Sequence, residues 1–294
     1  MNVKPVITVL GAFALLFAVF AALIFFISTK YGDNKGFSLA HKIGVIEVLG
    51  PITTSKQVVQ DLKTFERDES IKAIVLRVDS PGGGVGPSQE IYAAIKALKN
   101  KPVVVSMGSV AASGGYYIAA PAAHVFANPG TITGSIGVIM EFPDIANLLE
   151  KIGLNRRVIK SGQFKDIGSP VREMTTAEQE LLQSLIDDVY LQFVEAVSSG
   201  RNMDIDAVKA LADGRIFSGR QAKEFGLVDE LGGLQAAIEY SARRVGIVGE
   251  PKVVYPKPEP ISLLDLLLKR TAASLGQYLH QAEQAQLNML WHTN

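Results

Sequence analysis

Two glycine-rich turns hold the residues of this 294-residue chain best suited to chemistry. The first, Asp79-Ser80-Pro81-Gly82-Gly83-Gly84, follows the apolar run AIVLRV. The second, GSVAASGGYY from Gly108 to Tyr117, follows PVVVSM. Glycine lets a backbone take positive φ and come close to a ligand. Turns at the carboxyl ends of parallel strands are where open α/β sheets form their sites. The first turn lacks the Gly-Lys-Ser/Thr of a phosphate loop, so nucleotide binding is a poor fit and a plain tight turn is the competing reading. Ser113 lies between Ala111-Ala112 and Gly114-Gly115. Small neighbours leave space around a nucleophilic Oγ, and the amino end of a helix offers N–H groups to an oxyanion. A helix-capping serine fits the same residues equally well.

A nucleophilic serine needs a base. Of the four histidines, His41 falls in a polar linker and His280 and His292 fall near the carboxyl terminus. His124 opens a strand candidate with no acid nearby in sequence, although triad members are usually distant along the chain. A lysine serves if burial lowers its pKa. Bringing it from ~10.4 to 7–8 takes about three units, or roughly 4 kcal/mol in favour of the neutral amine. Lys160 and Lys165, in RRVIKSGQFKDIGSP (156–170), are the central candidates, and a solvated surface lysine is the ordinary alternative for each.

The elements that would position these groups alternate between strand and helix. Strands are expected over 43–49, 73–78, 103–107, 124–127, 136–140 and 157–159. Several are continuous β-branched runs, as in strands covered on both faces. Helices are expected over 57–65, 88–98, 176–199, 204–211, 218–224 and 234–245. The third has the clearest 3.6-residue period, a capping box from Thr175 and Glu178, and Gly200 as its stop. Such alternation predicts an α/β fold with a mostly parallel sheet and crossover helices.

Composition narrows the function. Zero cysteines exclude disulfides, thiolate metal sites and a cysteine nucleophile. Twenty-nine basic residues balance 29 acidic ones, which argues against nucleic acid as a partner. Residues 6–27 form an uncharged run that matches the ~30 Å hydrocarbon core as a helix. The run exceeds the usual apolar region of a cleaved signal peptide, about 7–15 residues, so we read it as a transmembrane anchor. Lys4 on one side and Lys30 and Lys35 on the other leave its orientation nearly tied. The expected organisation is a flank over 1–5, the anchor over 6–27, a linker over 28–42, and a catalytic domain over 43–250. A proline-rich break and an amphipathic helix fill 251–294, with an apolar stripe suited to packing on protein or bilayer.

Five collinear blocks, SPGGG (80–84), SMGSVAASGGYYIAA (106–120), GTITGSIGV (130–138), SGQFKDIGSP (161–170) and GRIFSGRQAKEFGLVDELGGL (214–234), resemble the bacterial signal peptide peptidase A family in its short, single-domain form. The resemblance covers roughly residues 43–245. It implies a Clp-protease/crotonase-like fold and a membrane-anchored serine endopeptidase with a Ser–Lys dyad. Carried over by position, Ser113 is the nucleophile, Lys165 the general base and Ser135 the serine that orients the base. Gly83 and Gly114 supply the oxyanion-hole N–H groups, with Gly82 as the substitute for Gly83. The family further implies a homo-oligomer in which adjacent subunits share the dyad. It also implies peptide substrates left in the bilayer after signal-peptide removal, no cofactor, and a catalytic domain on the extracytoplasmic side of the plasma membrane. The rival readings are a membrane-bound Ser–Lys protease of the same superfamily that cuts specific partner proteins, a crotonase-type acyl-CoA hydratase or isomerase, and a non-catalytic scaffold.

Overall fold

The computed structural model describes residues 41–257 together with Phe17, Val19, Phe20 and Ala22, which are helical and exposed. The rest of the expected anchor, the linker as far as residue 40, and the stripe over 261–294 lie outside the described residues. Among the described residues no helix is long and apolar enough to cross a membrane. Contacts divide the chain into 1–41 and 42–294, and the sheet with its helices belongs to the second unit.

Its strands are β1 (Lys42–Leu49), β2 (Ile71–Ser80), β3 (Val103–Ala112), β4 (His124–Ala127), β5 (Ile132–Gly134), β6 (Ile216–Ser218), β7 (Glu230–Leu231) and β8 (Lys252–Val254). The helices are α1 (Lys56–Arg67), α2 (Val85–Ala97), α3 (Gly114–Ala119), α4 (Ala146–Lys151), α5 (Thr176–Arg201), α6 (Ile205–Lys209), α7 (Gly219–Glu224) and α8 (Leu234–Arg244). All eight strands join one sheet. Its main path runs β6-β5-β3-β2-β1-β8, with β4 paired to β3 and β7 paired to β4. Every pairing is parallel except β5 with β6.

Two-residue alternation explains the unbroken apolar runs. Ile43, Val45, Ala73, Val75 and Val104 share a buried cluster with Ala237, Ile238 and Ala242 of α8. Their neighbours Ile46, Val48, Ile74, Leu76, Val78 and Val105 join the larger cluster, which holds Leu62 and Phe65 of α1, Ile91 and Ile95 of α2, Tyr116 of α3 and Phe193 and Val194 of α5. Helices therefore cover both faces, and a parallel sheet so enclosed needs apolar residues at successive positions.

Three expectations are corrected. The run 136–140 is not a strand. The ladder beside β3 is β5, and it stops at Gly134 opposite Ala112, the last residue of β3. Ser135 then takes φ +50°, so the apolar residues beyond it have no strand to pair with. The run 157–159 is also unpaired, and Ile159 is fully exposed. Finally, Gly200 does not stop α5: the helix continues to Arg201, and Asn202 ends it in the left-handed conformation. A further difference lies at 251–260, where Pro251 and Pro256 flank β8, so the sheet is completed beyond residue 250.

Gly200 has a packing role instead. A Cβ there would lie 2.5 Å from the Ala120 carbonyl oxygen, so glycine lets α5 press against the end of α3. Alanine would gain up to about 1 kcal/mol of helix propensity, but overpacking costs about 1–3 kcal/mol. We expect Gly200→Ala to lower the thermal unfolding midpoint; a raised midpoint would show that the contact relaxes freely.

Candidate active site

The carboxyl ends of β2 and β3 lie side by side, with Ser80 opposite Ala111 after a shift in register. The two glycine-rich turns leave the sheet from there and meet. The Gly82 N–H donates to Ser80 Oγ at 3.1 Å. Beyond it, Ile52 forms a one-residue parallel bridge with Gly83: the Ile52 N–H donates to the Gly82 carbonyl at 2.8 Å, and the Gly84 N–H to the Ile52 carbonyl at 2.9 Å. This pattern fixes the turn while leaving the Gly83 N–H without an acceptor among the described residues. Gly82 itself requires glycine: its φ is +105°, and a Cβ would lie 2.7 Å from the Gly114 nitrogen.

Ser113 occupies the corner between β3 and α3 with φ +53° and ψ −121°, a conformation that non-glycine residues seldom adopt. Its N–H donates to the Gly134 carbonyl at 2.9 Å, and its carbonyl accepts from the Tyr117 N–H at 2.8 Å. It stands at the N-cap position, yet its side chain makes no capping hydrogen bond. The capping role that its sequence neighbours allowed is thus unfilled, and Oγ is uncommitted. Gly114 is the first residue of α3, so its N–H has no partner within the helix. A Cβ on Gly114 would sit 3.2 Å from the Gly83 nitrogen, which places the two free N–H groups close together. Donors so paired, beside a hydroxyl in the same cleft, can receive the negative oxygen of a tetrahedral adduct.

Ser135 enters the same cleft from β5. Ser113, Ser135 and Asn202 are the three non-glycine residues with positive φ among the described residues, and two of them meet here. The Ser135 N–H donates to the Arg215 carbonyl at 2.8 Å, which ties the turn to the start of β6. The cleft has a volume of about 570 Å³ and is lined by Ser113, Gly114, Gly83 and Ser135. Val85, Tyr117, Val138, Ile139, Tyr190 and Phe193 add apolar wall. Tyr190 and Phe193 belong to α5, whose periodicity reads simply as a core-facing helix; nothing in that pattern distinguishes a cleft wall from core.

Lys165 is not among the residues lining this cleft. It lies in an exposed turn, where its N–H donates to the Gly162 carbonyl at 3.2 Å. Its ammonium makes no hydrogen bond or ion pair with a described residue. Lys160, the other lysine candidate, is committed: Nζ donates to Asp166 Oδ1 at 2.5 Å and to the Gln163 carbonyl at 2.8 Å. His124 is also placed elsewhere. It stacks on Tyr240 with ring centroids 4.2 Å apart, 3.9 Å from Asp229 Oδ2 and 3.5 Å from Glu230 Oε2, and it does not line the cleft. The acids absent from its sequence neighbourhood come from β7 and the residue before it, paired alongside β4.

One polar cluster escapes sequence reasoning. Arg172 bridges Asp166, the residue after Lys165, to Glu178 in the first turn of α5. Glu178 is legible as the capping-box partner of Thr175, but nothing in the spacing reveals that its carboxylate also receives an arginine. Arg172 first, and then Lys160, hold the Asp166 carboxyl below the usual range. Arg172, followed by the Thr175 N–H, brings Glu178 down to about 2.

Comparison with known proteins places these features in a family. The profile described as peptidase family S49 matches residues 96–247, and that of Clp protease matches residues 36–133. A Synechocystis sp. protein provisionally named a protease is 51% identical over 213 residues, covering 71% of this chain and 76% of the relative. The Arabidopsis thaliana chloroplastic serine protease SPPA is 34% identical over 222 residues, 75% of this chain and 33% of the relative. Protease 4 of Salmonella typhi is 35% identical over 241 residues, 81% of this chain and 38% of the relative. The mostly parallel sheet between helices agrees with a Clp-protease-like fold.

The Glu178 contacts carry a pH signature. A carboxyl whose folded pKa is depressed stabilises the fold above its unfolded value, and that contribution is lost as pH falls through the folded value. For Glu178 the window runs from about 4.5 down to about 2. We expect Glu178→Gln to melt below wild type at pH 6, with the gap closing as the pH approaches 2. A gap that stays constant would mean that the carboxylate charge is not what the arginine engages.

Proposed function

The chain belongs to peptidase family S49 and is a serine protease, and from that premise we propose that it is a membrane-anchored Ser–Lys endopeptidase in which Ser113 is the nucleophile and Lys165 the general base. The observation that carries the reading is the unbonded hydroxyl of Ser113, on a strained corner beside the free N–H groups of Gly83 and Gly114. In the proposed mechanism neutral Lys165 takes the Ser113 proton as Oγ attacks the peptide carbonyl carbon. The resulting oxyanion accepts from the two glycine N–H groups, a stabilisation worth about 3–4 kcal/mol per donor. The C–N bond then breaks, and the lysine ammonium gives its proton to the departing amine. Water, deprotonated by the same lysine, hydrolyses the ester and frees Ser113. Ser135 accepts or donates a hydrogen bond that orients the lysine.

Since Lys165 does not line its own chain's cleft, the proposed dyad forms between neighbouring copies in a homo-oligomer. The exposed apolar residues Ile139, Leu148, Ile152, Leu154 and Ile159, on the segment around Lys165, support this reading. Exposed large apolar residues gathered on one segment are the raw material of an interaction site. Burial between copies also supplies the desolvation that a neutral lysine requires. The proposed substrates are remnant signal peptides and other apolar membrane segments, in keeping with the apolar walls of the cleft. The proposed location is the plasma membrane, with residues 6–27 as a single anchor and the peptidase domain extracytoplasmic.

Ser113→Ala and Lys165→Ala are each expected to lower peptidase turnover by more than about 10⁴-fold without changing oligomer size. A fluorophosphonate probe should label Ser113 in the wild type. When the two inactive variants are mixed and reassembled, part of the activity should return, because some interfaces then pair an intact serine with an intact lysine. Labelling at another serine would overturn the nucleophile assignment. Failure of the reassembled mixture to regain turnover would overturn the sharing of the dyad between subunits.

A further inference from the structure

The turn that carries Lys165 has little regular structure to hold it. From residue 152 to 175 the chain forms neither strand nor helix. The backbone hydrogen bonds of the turn are local: Lys165 to Gly162, Ile167 to Phe164 and Ser169 to Asp166. Two contacts reach outward from its far end. The Ile145 N–H donates to the Pro170 carbonyl at 2.7 Å, and the Phe142 ring lies against Gly168. Neither grips the residues next to Lys165.

Arg172 does. Its Nε donates to Asp166 Oδ2 at 2.9 Å, and one terminal nitrogen donates to Asp166 Oδ1 at 2.8 Å and to the Asp166 carbonyl at 3.1 Å. That nitrogen also reaches Glu178 Oε1 at 2.5 Å. The other terminal nitrogen donates to Glu178 Oε2 at 2.8 Å and to the Glu173 carbonyl at 3.0 Å. One planar guanidinium thus makes a fork to each of two carboxylates, a geometry lysine cannot reproduce. Glu178 is only 2% exposed and closes the capping box of α5 with Thr175, so this end of the clamp is anchored in the fold.

We propose that Arg172 is the positioning residue for the general base: by fastening the residue after Lys165 to the first turn of α5, it sets where the lysine amine is presented. The proposal rests on the assignment of Lys165 as base. Arg172 touches neither the cleft nor Ser113, and acts through the backbone of residues 165 and 166. A base displaced by about 1 Å can cost about 10²-fold in rate, so the clamp is a rate determinant as well as a structural contact.

The test compares full-length Arg172→Gln, Arg172→Lys and Asp166→Asn with wild type and Lys165→Ala. In folded enzyme we expect Arg172→Gln to lower kcat by about 10- to 100-fold while KM changes little. The acid limb of its kcat/KM profile should move to higher pH, because a loosened lysine sits more in water. Arg172→Lys should recover part of the loss. Asp166→Asn, which keeps the shape of the side chain but removes its charge, should show the same pattern more weakly, and it serves if the arginine variants do not fold. Added to Lys165→Ala, Arg172→Gln should remove no further activity, since it acts only through the lysine. A folded Arg172→Gln or Asp166→Asn with wild-type kcat and an unmoved pH profile would overturn the proposal and leave the dyad standing. Full turnover in Lys165→Ala would overturn both.

Discussion

The hydrogen bond from the Ser113 N–H to the Gly134 carbonyl is the contact on which the site's geometry depends. It extends the β3–β5 ladder one residue past the last paired position, and so fixes the backbone where β3 breaks into α3. With the Tyr117 N–H bonded to the Ser113 carbonyl, it offsets the positive φ of Ser113, a conformation that costs about 1–3 kcal/mol and persists only where its surroundings overdetermine it. The same bond draws Ser113 and Ser135 together, because Ser135 is the next residue after its acceptor. A second serine under backbone strain then lies beside the first, held on its far side by Arg215.

Parallel pairing carries that local constraint to the rest of the cleft. Strands β2 and β3 end together, so the Pro-Gly-Gly-Gly turn and the Ser113 corner open on the same edge of the sheet. The Ile52 bridge takes up the hydrogen-bonding groups on either side of Gly83 and leaves that one N–H outward. The short helix α3, buried at every residue, contributes the other. Strain at the serine and unsatisfied donors at the glycines would be liabilities in an inert turn. Here the buried sheet beneath supplies the stability that tolerates them.

Much of this was legible in the sequence, for reasons that also mark where legibility ends. Strands β1 to β4 announce themselves because burial on both faces favours long apolar, β-branched runs, and α5 because its period and capping box agree. The serine and glycines stand out because small residues cluster where a backbone must pass close to something. The strand expected over 136–140 failed because β-branched residues report only a preference for extended structure; whether a neighbouring strand is available is decided by where β3 ends. Gly200 misled in a similar way, since glycine marks close approach as readily as a helix stop. The Arg172 clamp was illegible because residues 152 to 175 form neither strand nor helix, so no periodicity relates Arg172 to its partners six residues to either side. Arginine in such a stretch ordinarily reads as solvated.

Helix α5 joins two functions that sequence separates. Its first turn receives the clamp at Glu178, and Tyr190 and Phe193 farther along form a wall of the cleft. Tyr190 lies twelve residues beyond Glu178, about 18 Å at 1.5 Å per residue. A single helix of that length therefore carries both a wall of the groove and the anchor of the turn that bears Lys165. A substitution that changed how α5 seats on the sheet would be felt at both places at once.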